Sequence, residues 1–160
     1  MNKKGFRTKR QEARIKFFRG LLEKSNQKTN LFEGISAEGG YYATISKSTG
    51  IPRVRFTYYK PMDEGVIEIL FERKDPKENE DIFNFLISKK DDIESDFGSD
   101  LEWEPSMGNK RTAIRKRFSG GNLSYPETWP NIQDKMVTAM VRFENTLRPY
   151  LIEIRERLDM

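Results

Sequence analysis

The stretch PRVRFTYY, residues 52–59, alternates apolar and polar side chains from residue 53 to residue 58. This period of two is typical of a half-buried strand, with Arg53, Arg55 and Thr57 on the solvent side. A second such stretch, VIEILFER at residues 66–73, follows after a short link that contains Pro61 and Gly65. Because the link has hairpin length, we expect the two strands to pair antiparallel, with Glu68 and Glu72 pointing away from the core.

Three more strands are predicted outward from this pair. Residues 41–46 precede it, joined by the turn at residues 47–50. Residues 101–105 and 110–118 follow it, joined by a turn at residues 107–109. In the last strand, Thr112, Ile114 and Phe118 alternate with three arginines, which predicts that the arginines face away from the core.

Apolar residues at helical spacing predict three helices. The first covers residues 8–23, with Thr8 as its cap, and leads into a loop at residues 26–40. The second begins after the capping residue Asp75 and ends at Gly98. The third covers residues 130–158, and Pro149 within it predicts a kink or break near residues 145–149.

The predicted order of elements is α-β-β-β-α-β-β-α. We therefore expect an α+β fold, with an antiparallel sheet of about five strands and the helices packed on one face. The length of 160 residues fits one domain over residues 1–160, in which residues 1–7 form a flexible basic arm. The N-terminus lacks the apolar stretch of a signal peptide, and no apolar run could span a membrane, so we expect a cytoplasmic protein without membrane contact.

The chain contains no histidine and no cysteine. This composition excludes a thiolate nucleophile, a Ser-His triad and an ordinary structural zinc site. We assign no catalytic residue, no metal ligand and no cofactor, and we favour a protein that holds a ligand over one that transforms it.

Positive charge is concentrated at the N-terminus. Residues 1–28 carry ten Lys or Arg and two Glu, a local charge of +8, whereas residues 29–160 carry nineteen basic and twenty-three acidic residues, a charge of −4. Such a distribution indicates either contact with a polyanion or a plain solvated helix face. The candidate nucleic-acid contacts are Lys9, Arg10, Arg14 and Lys16 on the first helix, and Arg53, Arg55, Arg111, Arg115 and Arg117 on the sheet.

Two groups of carboxylates invite a catalytic interpretation. Asp63, Glu72 and Lys74 loosely follow the pattern of restriction-type nucleases, in which two carboxylates hold Mg²⁺ and a lysine assists the attacking water. Glu102 and Glu104 share one face of a strand, and the arginines of the neighbouring strand are their expected partners. We favour surface charge and structural pairing over catalysis for both groups, because short patterns of common residues often match by chance.

The segment KKDDIESDFGSDLEW, residues 89–103, resembles the centre of the family known as domain of unknown function 4268 (DUF4268). The flanking features also agree in order: Phe17-Phe18, Tyr41-Tyr42, the arginines near residue 54, and Trp129 before a long helix. The resemblance implies an accessory domain that often follows a restriction-type nuclease and has no established activity. Since 160 residues leave no room for such a nuclease, it implies an accessory module standing alone, with Ile93 and Trp103 in the core.

We therefore expect a non-enzymatic binding module that contacts nucleic acid in DNA transactions or defence. The alternative is a protein-interaction module, or a homodimer formed through the apolar seam of the last helix, which contains Met136, Met140, Phe143, Leu147, Tyr150 and Ile154. A third hypothesis is a Mg²⁺-dependent nuclease that uses Asp63, Glu72 and Lys74.

Overall fold

The computed structural model describes residues 7–106 and 110–158, with the backbone alone for residues 40–42. Its four α-helices are α1 (Lys9–Lys28), α2 (Pro76–Ile87), α3 (Lys90–Phe97) and α4 (Trp129–Arg157). Its five strands are β1 (Thr44–Ser48), β2 (Val54–Tyr59), β3 (Glu64–Phe71), β4 (Glu102–Glu104) and β5 (Thr112–Ser119). The predicted turn at residues 107–109 and residues 1–6 of the predicted basic arm lie outside the described residues.

The five strands form one antiparallel sheet in the order β1-β2-β3-β5-β4. The pairing of β2 with β3 places Thr57 opposite Glu68, and β5 then places Arg115 opposite Glu68 on the other side. The connection through α2 and α3 carries the chain past β5, so β4 becomes the edge strand. The predicted α+β class and the antiparallel sheet are confirmed.

The inner face of the sheet packs against α4 and forms the core. Phe56 on β2 and Phe97 on α3 both meet Phe143 of α4 edge to face, with ring centroids 6.2 and 5.8 Å apart. At Gly65 a side chain would lie 2.5 Å from the sulfur of Met136, so the absence of one lets α4 approach β3 closely. These contacts cover only one face of the sheet, and the opposite face is left polar.

Three predicted elements differ from the structure by more than two residues at one end, or in number. Helix α1 continues to Lys28, since Ser25 is buried and extends the packed face by a turn. Residues 41 and 42 belong to a 3-10 helix, Ala37–Tyr42, so the first strand begins at Thr44. The predicted second helix is two helices, because Lys89 leaves the α conformation with φ −109° and ψ 14°. Next to it, the Ser88 hydroxyl donates to the carbonyl of Phe85 at 2.6 Å.

Pro149 does not interrupt α4, contrary to the predicted break. The residue before it holds the helix in place, because Arg148 donates to the carbonyl of Thr49 at 2.7 Å and pairs with Glu144 at 2.8 Å. These contacts tie the helix to the turn after β1 at the point where the proline removes a backbone hydrogen bond.

Glu94 fastens the end of α3 to β4. One of its carboxylate oxygens accepts the backbone N–H of Leu101 at 2.7 Å and the indole N–H of Trp103 at 3.1 Å. Between them Gly98 adopts φ 97°, a left-handed conformation that ends α3 and turns the chain back, as predicted. Ile93 is fully buried, whereas Trp103 is only half-buried and packs on Phe83.

The protonation of Glu94 is coupled to this clasp, defined as Glu94 with Leu101 and Trp103. Burial acts to raise the pKa of Glu94, but the two hydrogen bonds and the nearby Lys90 and Lys116 outweigh it and lower the pKa below its ordinary value. A lowered folded-state pKa means that the stabilisation is complete above the unfolded pKa and is lost as the pH falls through the folded one.

We expect Glu94→Ala to lower the free energy of unfolding by about 1.5–3 kcal/mol at pH 7, the range for hydrogen bonds to a charged group. Urea unfolding at pH 7 and at pH 3 checks this, and the difference from the parent should shrink at pH 3. The control is Asp96→Ala, an exposed carboxylate on the same helix. An equal loss in both variants, or a loss independent of pH, would contradict the clasp.

Candidate functional site

The outer face of the sheet carries a network of ion pairs. Arg55 pairs with Glu72 at 2.6 Å, and Arg117 pairs with Glu102 at 2.9 Å and Glu64 at 3.0 Å. Arg55, Glu72 and Arg117 line a cleft of about 420 Å³ that is also lined by threonine, serine and tyrosine side chains. The predicted cross-strand pairing of the β4 glutamates with the β5 arginines is confirmed.

Arg115 and Glu68 form the central pair of this network. Their side chains are 11% and 8% exposed, and Nε of Arg115 donates to Glu68 at 3.0 Å. Glu104 is the second carboxylate partner of Arg115. Burial acts to lower the pKa of Arg115, but the two glutamates outweigh it and raise it. Glu68 points away from the core as predicted, but it is buried on the outer face, because the side chains beside it cover its carboxylate.

The five arginines predicted as a basic sheet face do lie near one another, but glutamates are interleaved among them. Arg53 donates to the backbone carbonyl of Glu72 at 2.8 Å, and Arg111 lines the same cleft and also has a partner. The glutamates on or beside this face are Glu64, Glu68, Glu72, Glu102 and Glu104. Their number equals that of the arginines, so this face has little net charge.

The candidate residues on α1 have different surroundings. Lys9, Arg10 and Lys16 are exposed, and no carboxylate of residues 7–106 or 110–158 forms an ion pair with them. Arg14 is half-buried and donates to the carbonyl of Lys60 at 2.9 Å, which ties α1 to the link before β3. Arg7, the last residue of the predicted flexible arm, pairs with Glu38 at 2.6 Å.

Lys60 is a fully buried lysine at the end of β2. Its Nζ donates to the carbonyls of Pro61 and Glu64, both at 2.7 Å, and lies 5.2 Å from the ring centroid of Phe17. Burial lowers the pKa of Lys60 to about 8, with Arg14 acting in the same direction and Asp63 against it. A lysine with a lowered pKa can act as a nucleophile. Here the amine is enclosed by backbone carbonyls, so its contacts are those of a structural residue.

The structure separates the residues of the nuclease hypothesis. Asp63 precedes β3 and Glu72 follows it, so the eight residues of the strand lie between them and their Cα atoms are about 30 Å apart along the extended chain. Glu72 is engaged by Arg55, and Lys74 lies beyond the end of the strand. The part of the chain that the structure describes contains no group of three acidic side chains that could hold a metal ion.

The apolar seam of α4 packs inside its own chain. Met136, Met140, Phe143 and Leu147 are fully buried, and Ile154 is 2% exposed. Tyr150 alone of the predicted seam is half-buried. The residues proposed for a homodimer therefore do not form an available surface in this fold.

Sequence reasoning missed three cations outside these sets: Lys116, Lys135 and Arg142. They lie around a groove between α3, β5 and α4. A signal was available at Lys116, because a lysine at this position interrupts the apolar side of β5 between Ile114 and Phe118. For Arg142 the sequence offers no such signal, since its place depends on the packing of α3 against α4.

The fold places the protein in the class of α+β domains built on a single antiparallel sheet. Within it, the Glu94 clasp joins the short helix α3 to the edge strand β4. The chain belongs to the family described as a domain of unknown function, DUF4268, whose model matches residues 13–151. No curated protein and no solved structure matches the chain. The segment that carries the resemblance contains the clasp residues Glu94, Leu101 and Trp103, so their hydrogen bonds give this part of the sequence a structural explanation.

Among residues 7–106 and 110–158, no helix has both the length and the apolar character needed to cross a bilayer.

Because Arg115 balances a buried carboxylate, we expect Arg115→Met to lower the free energy of unfolding by about 3–5 kcal/mol. The double variant Glu68→Leu, Arg115→Met should recover most of this loss, since it removes both buried charges. Arg55→Met, which breaks an exposed pair, should cost less than about 1 kcal/mol. Urea unfolding measures all three. Equal losses for Arg115→Met and Arg55→Met would show that the burial of the pair has no consequence.

The lowered pKa of Lys60 predicts a gain of stability at alkaline pH. Between pH 8 and the ordinary value of 10.5, the folded protein loses this proton before the unfolded chain does. The free energy of unfolding therefore rises with pH in this window, by about 1–2 kcal/mol between pH 8 and pH 9.5. Urea unfolding at both pH values should show this rise for the parent and for Lys90→Met, and not for Lys60→Met. A rise of equal size in Lys60→Met would assign it to another group.

Proposed function

We propose that this domain is a non-enzymatic, cytoplasmic accessory module that contacts nucleic acid through α1, in DNA transactions or defence. One observation carries the proposal. Lys9, Arg10 and Lys16 are exposed without a carboxylate partner in the described part of the chain. Glutamates or backbone carbonyls, by contrast, engage the sheet residues Arg53, Arg55, Arg115 and Arg117. A cation without a carboxylate partner binds phosphate more favourably, because it does not have to break an ion pair within the protein first.

The position of these cations supports a backbone contact. Lys9 and Lys16 lie seven residues apart, two turns of the helix, so they project from the same side. The N-terminal end of a helix also favours negative charge. Glu12 is the one acidic residue among them, so the segment from Lys9 to Lys16 keeps an excess of positive charge. The association with restriction-type nucleases that the resemblance implies agrees with DNA as the polyanion.

The arginines of the sheet are less suited to this contact. A phosphate that approached Arg115 would compete with Glu68 and Glu104, and would leave a buried carboxylate without its partner. Charge reversal at Arg115 would unfold the protein before it reported on binding. The sorting of the nine candidates by their partners therefore favours the helix.

The test compares two triple variants that remove the same charge. The helix variant removes the charges of α1 and carries Lys9→Gln, Arg10→Gln and Lys16→Gln. The control variant removes three exposed lysines near α2 and α3 and carries Lys77→Gln, Lys89→Gln and Lys90→Gln. Fluorescence anisotropy with a labelled 30-base-pair duplex at 50–200 mM salt measures affinity. We expect the helix variant to bind at least tenfold more weakly and to reduce the salt slope by about 2–3, the value for three lost phosphate contacts.

The control variant should retain parental affinity within about twofold. Equal weakening in both triple variants would show that only net charge matters. A parent protein that fails to bind duplex DNA, single-stranded DNA and RNA at 50 mM salt would refute the proposal.

A further inference from the structure

Two cavities lie end to end along α4 and form one groove. The first, of about 340 Å³, lies between the end of α3, β5 and α4. The second, of about 690 Å³, continues between α3 and α4 to Tyr150. Thr138 and Arg142 line both. The groove follows α4 from Asp134 to Tyr150, a length of about 24 Å at the rise of an α-helix.

The first cavity gathers positive charge around an apolar floor. Phe97, Phe118 and Ala139 supply the apolar surface, and Lys116, Lys135 and Arg142 surround it. Lys116 and Arg142 are bonded to backbone carbonyls, those of Asp100 at 3.1 Å and Phe97 at 3.2 Å.

None of the three groove cations (Lys116, Lys135 and Arg142) forms an ion pair with a carboxylate among the described residues. The one carboxylate in the first cavity, Asp134, is already paired with Lys24 at 2.8 Å. This arrangement contrasts with the outer face of the sheet, where glutamates balance the arginines. An anionic group that entered the first cavity would meet three cations that do not have to leave a carboxylate.

The second cavity has a different character. Val141, Pro149 and Tyr150 make it largely apolar, and Asp96 gives it a negative charge at this end. Pro149 has no N–H, so the carbonyl of Asn145 lacks its usual partner four residues on. Both residues line the cavity. The groove therefore carries three cations at one end and is largely apolar, with the carboxylate of Asp96, at the other.

We propose that this groove binds an acidic peptide segment of a partner protein. Its acidic side chains pair with Lys116, Lys135 and Arg142, and its apolar side chains lie along Val141 and Tyr150. A length of about 24 Å accommodates roughly seven residues of extended chain. A small anion would occupy only the first cavity, whereas a peptide with both acidic and apolar residues matches the whole groove. This inference does not depend on nucleic-acid binding by α1.

A random twelve-residue phage library, panned on the immobilised protein, provides the probe. We expect the selected peptides to carry net negative charge together with apolar residues. Synthetic versions with a fluorescent label then give affinities by anisotropy. Selection of no consensus, or of basic peptides, would overturn the proposal.

Three variants locate the bound peptide. Lys135→Glu reverses a groove cation at an exposed position, and Thr138→Phe places a ring where the two cavities meet, also at an exposed position. Both should weaken binding at least tenfold, while Lys77→Glu, with the same charge change on α2, should stay within twofold. Retained binding in both groove variants refutes the groove as the site.

The same variants separate this proposal from the preceding one. Lys135→Glu and Thr138→Phe should bind the DNA duplex as the parent does, and the triple variant of α1 should bind the selected peptides as the parent does. If the groove variants lose DNA affinity and no peptide is selected, the groove is part of a nucleic-acid surface and the peptide proposal is wrong.

Discussion

The structure depends on a sheet that is covered by helices on one face only. The covered face is largely apolar, and Phe56, Ile69 and Ile114 on neighbouring strands are fully buried on it. On the other face, polar side chains at the margins are hydrated, whereas those at the centre need partners within the sheet. Thr57 and Glu68 on the central strands are such residues, because both are buried. A carboxylate in that position is tolerated only with a partner, and Arg115 supplies it. The alternation of arginine and glutamate across this face follows from that requirement.

This constraint decides how the basic residues of the chain should be interpreted. A count of arginines along β2 and β5 suggests a phosphate-binding face, and the alternation did predict correctly that they project from the same side. The count is misleading because the balancing glutamates come from β3 and β4, which the strand order brings alongside. Of the basic residues discussed in residues 7–106 and 110–158, those outside the sheet's network, on α1 and around the α4 groove, keep a charge that another molecule could use.

Much of the fold could be predicted from the sequence, because its signals are local. The alternation in residues 53–58, the cap at Asp75 and the stop at Gly98 each depend on a few neighbouring residues. The break at residues 88–89 could not be predicted, because the apolar spacing from Leu86 to Ile93 also fits one continuous helix. The groove could not be predicted either, since Arg142 and Phe97 meet only through the packing of α4 on α3.

The segment that carries the resemblance to the family shows that a recognisable sequence pattern can have a structural explanation. Its Glu94 lies in the last turn of a short helix, where a carboxylate gains little from the helix itself. Its role is explained instead by the two hydrogen bonds that it accepts, from the backbone N–H of Leu101 just before β4 and from the indole N–H of Trp103 within β4. The edge strand has only three residues, so its own pairing with β5 is weak and the clasp compensates. Because the same turn carries Phe97 and Asp100 to the rim of the α4 groove, the clasp also shapes the surface that we propose for the peptide.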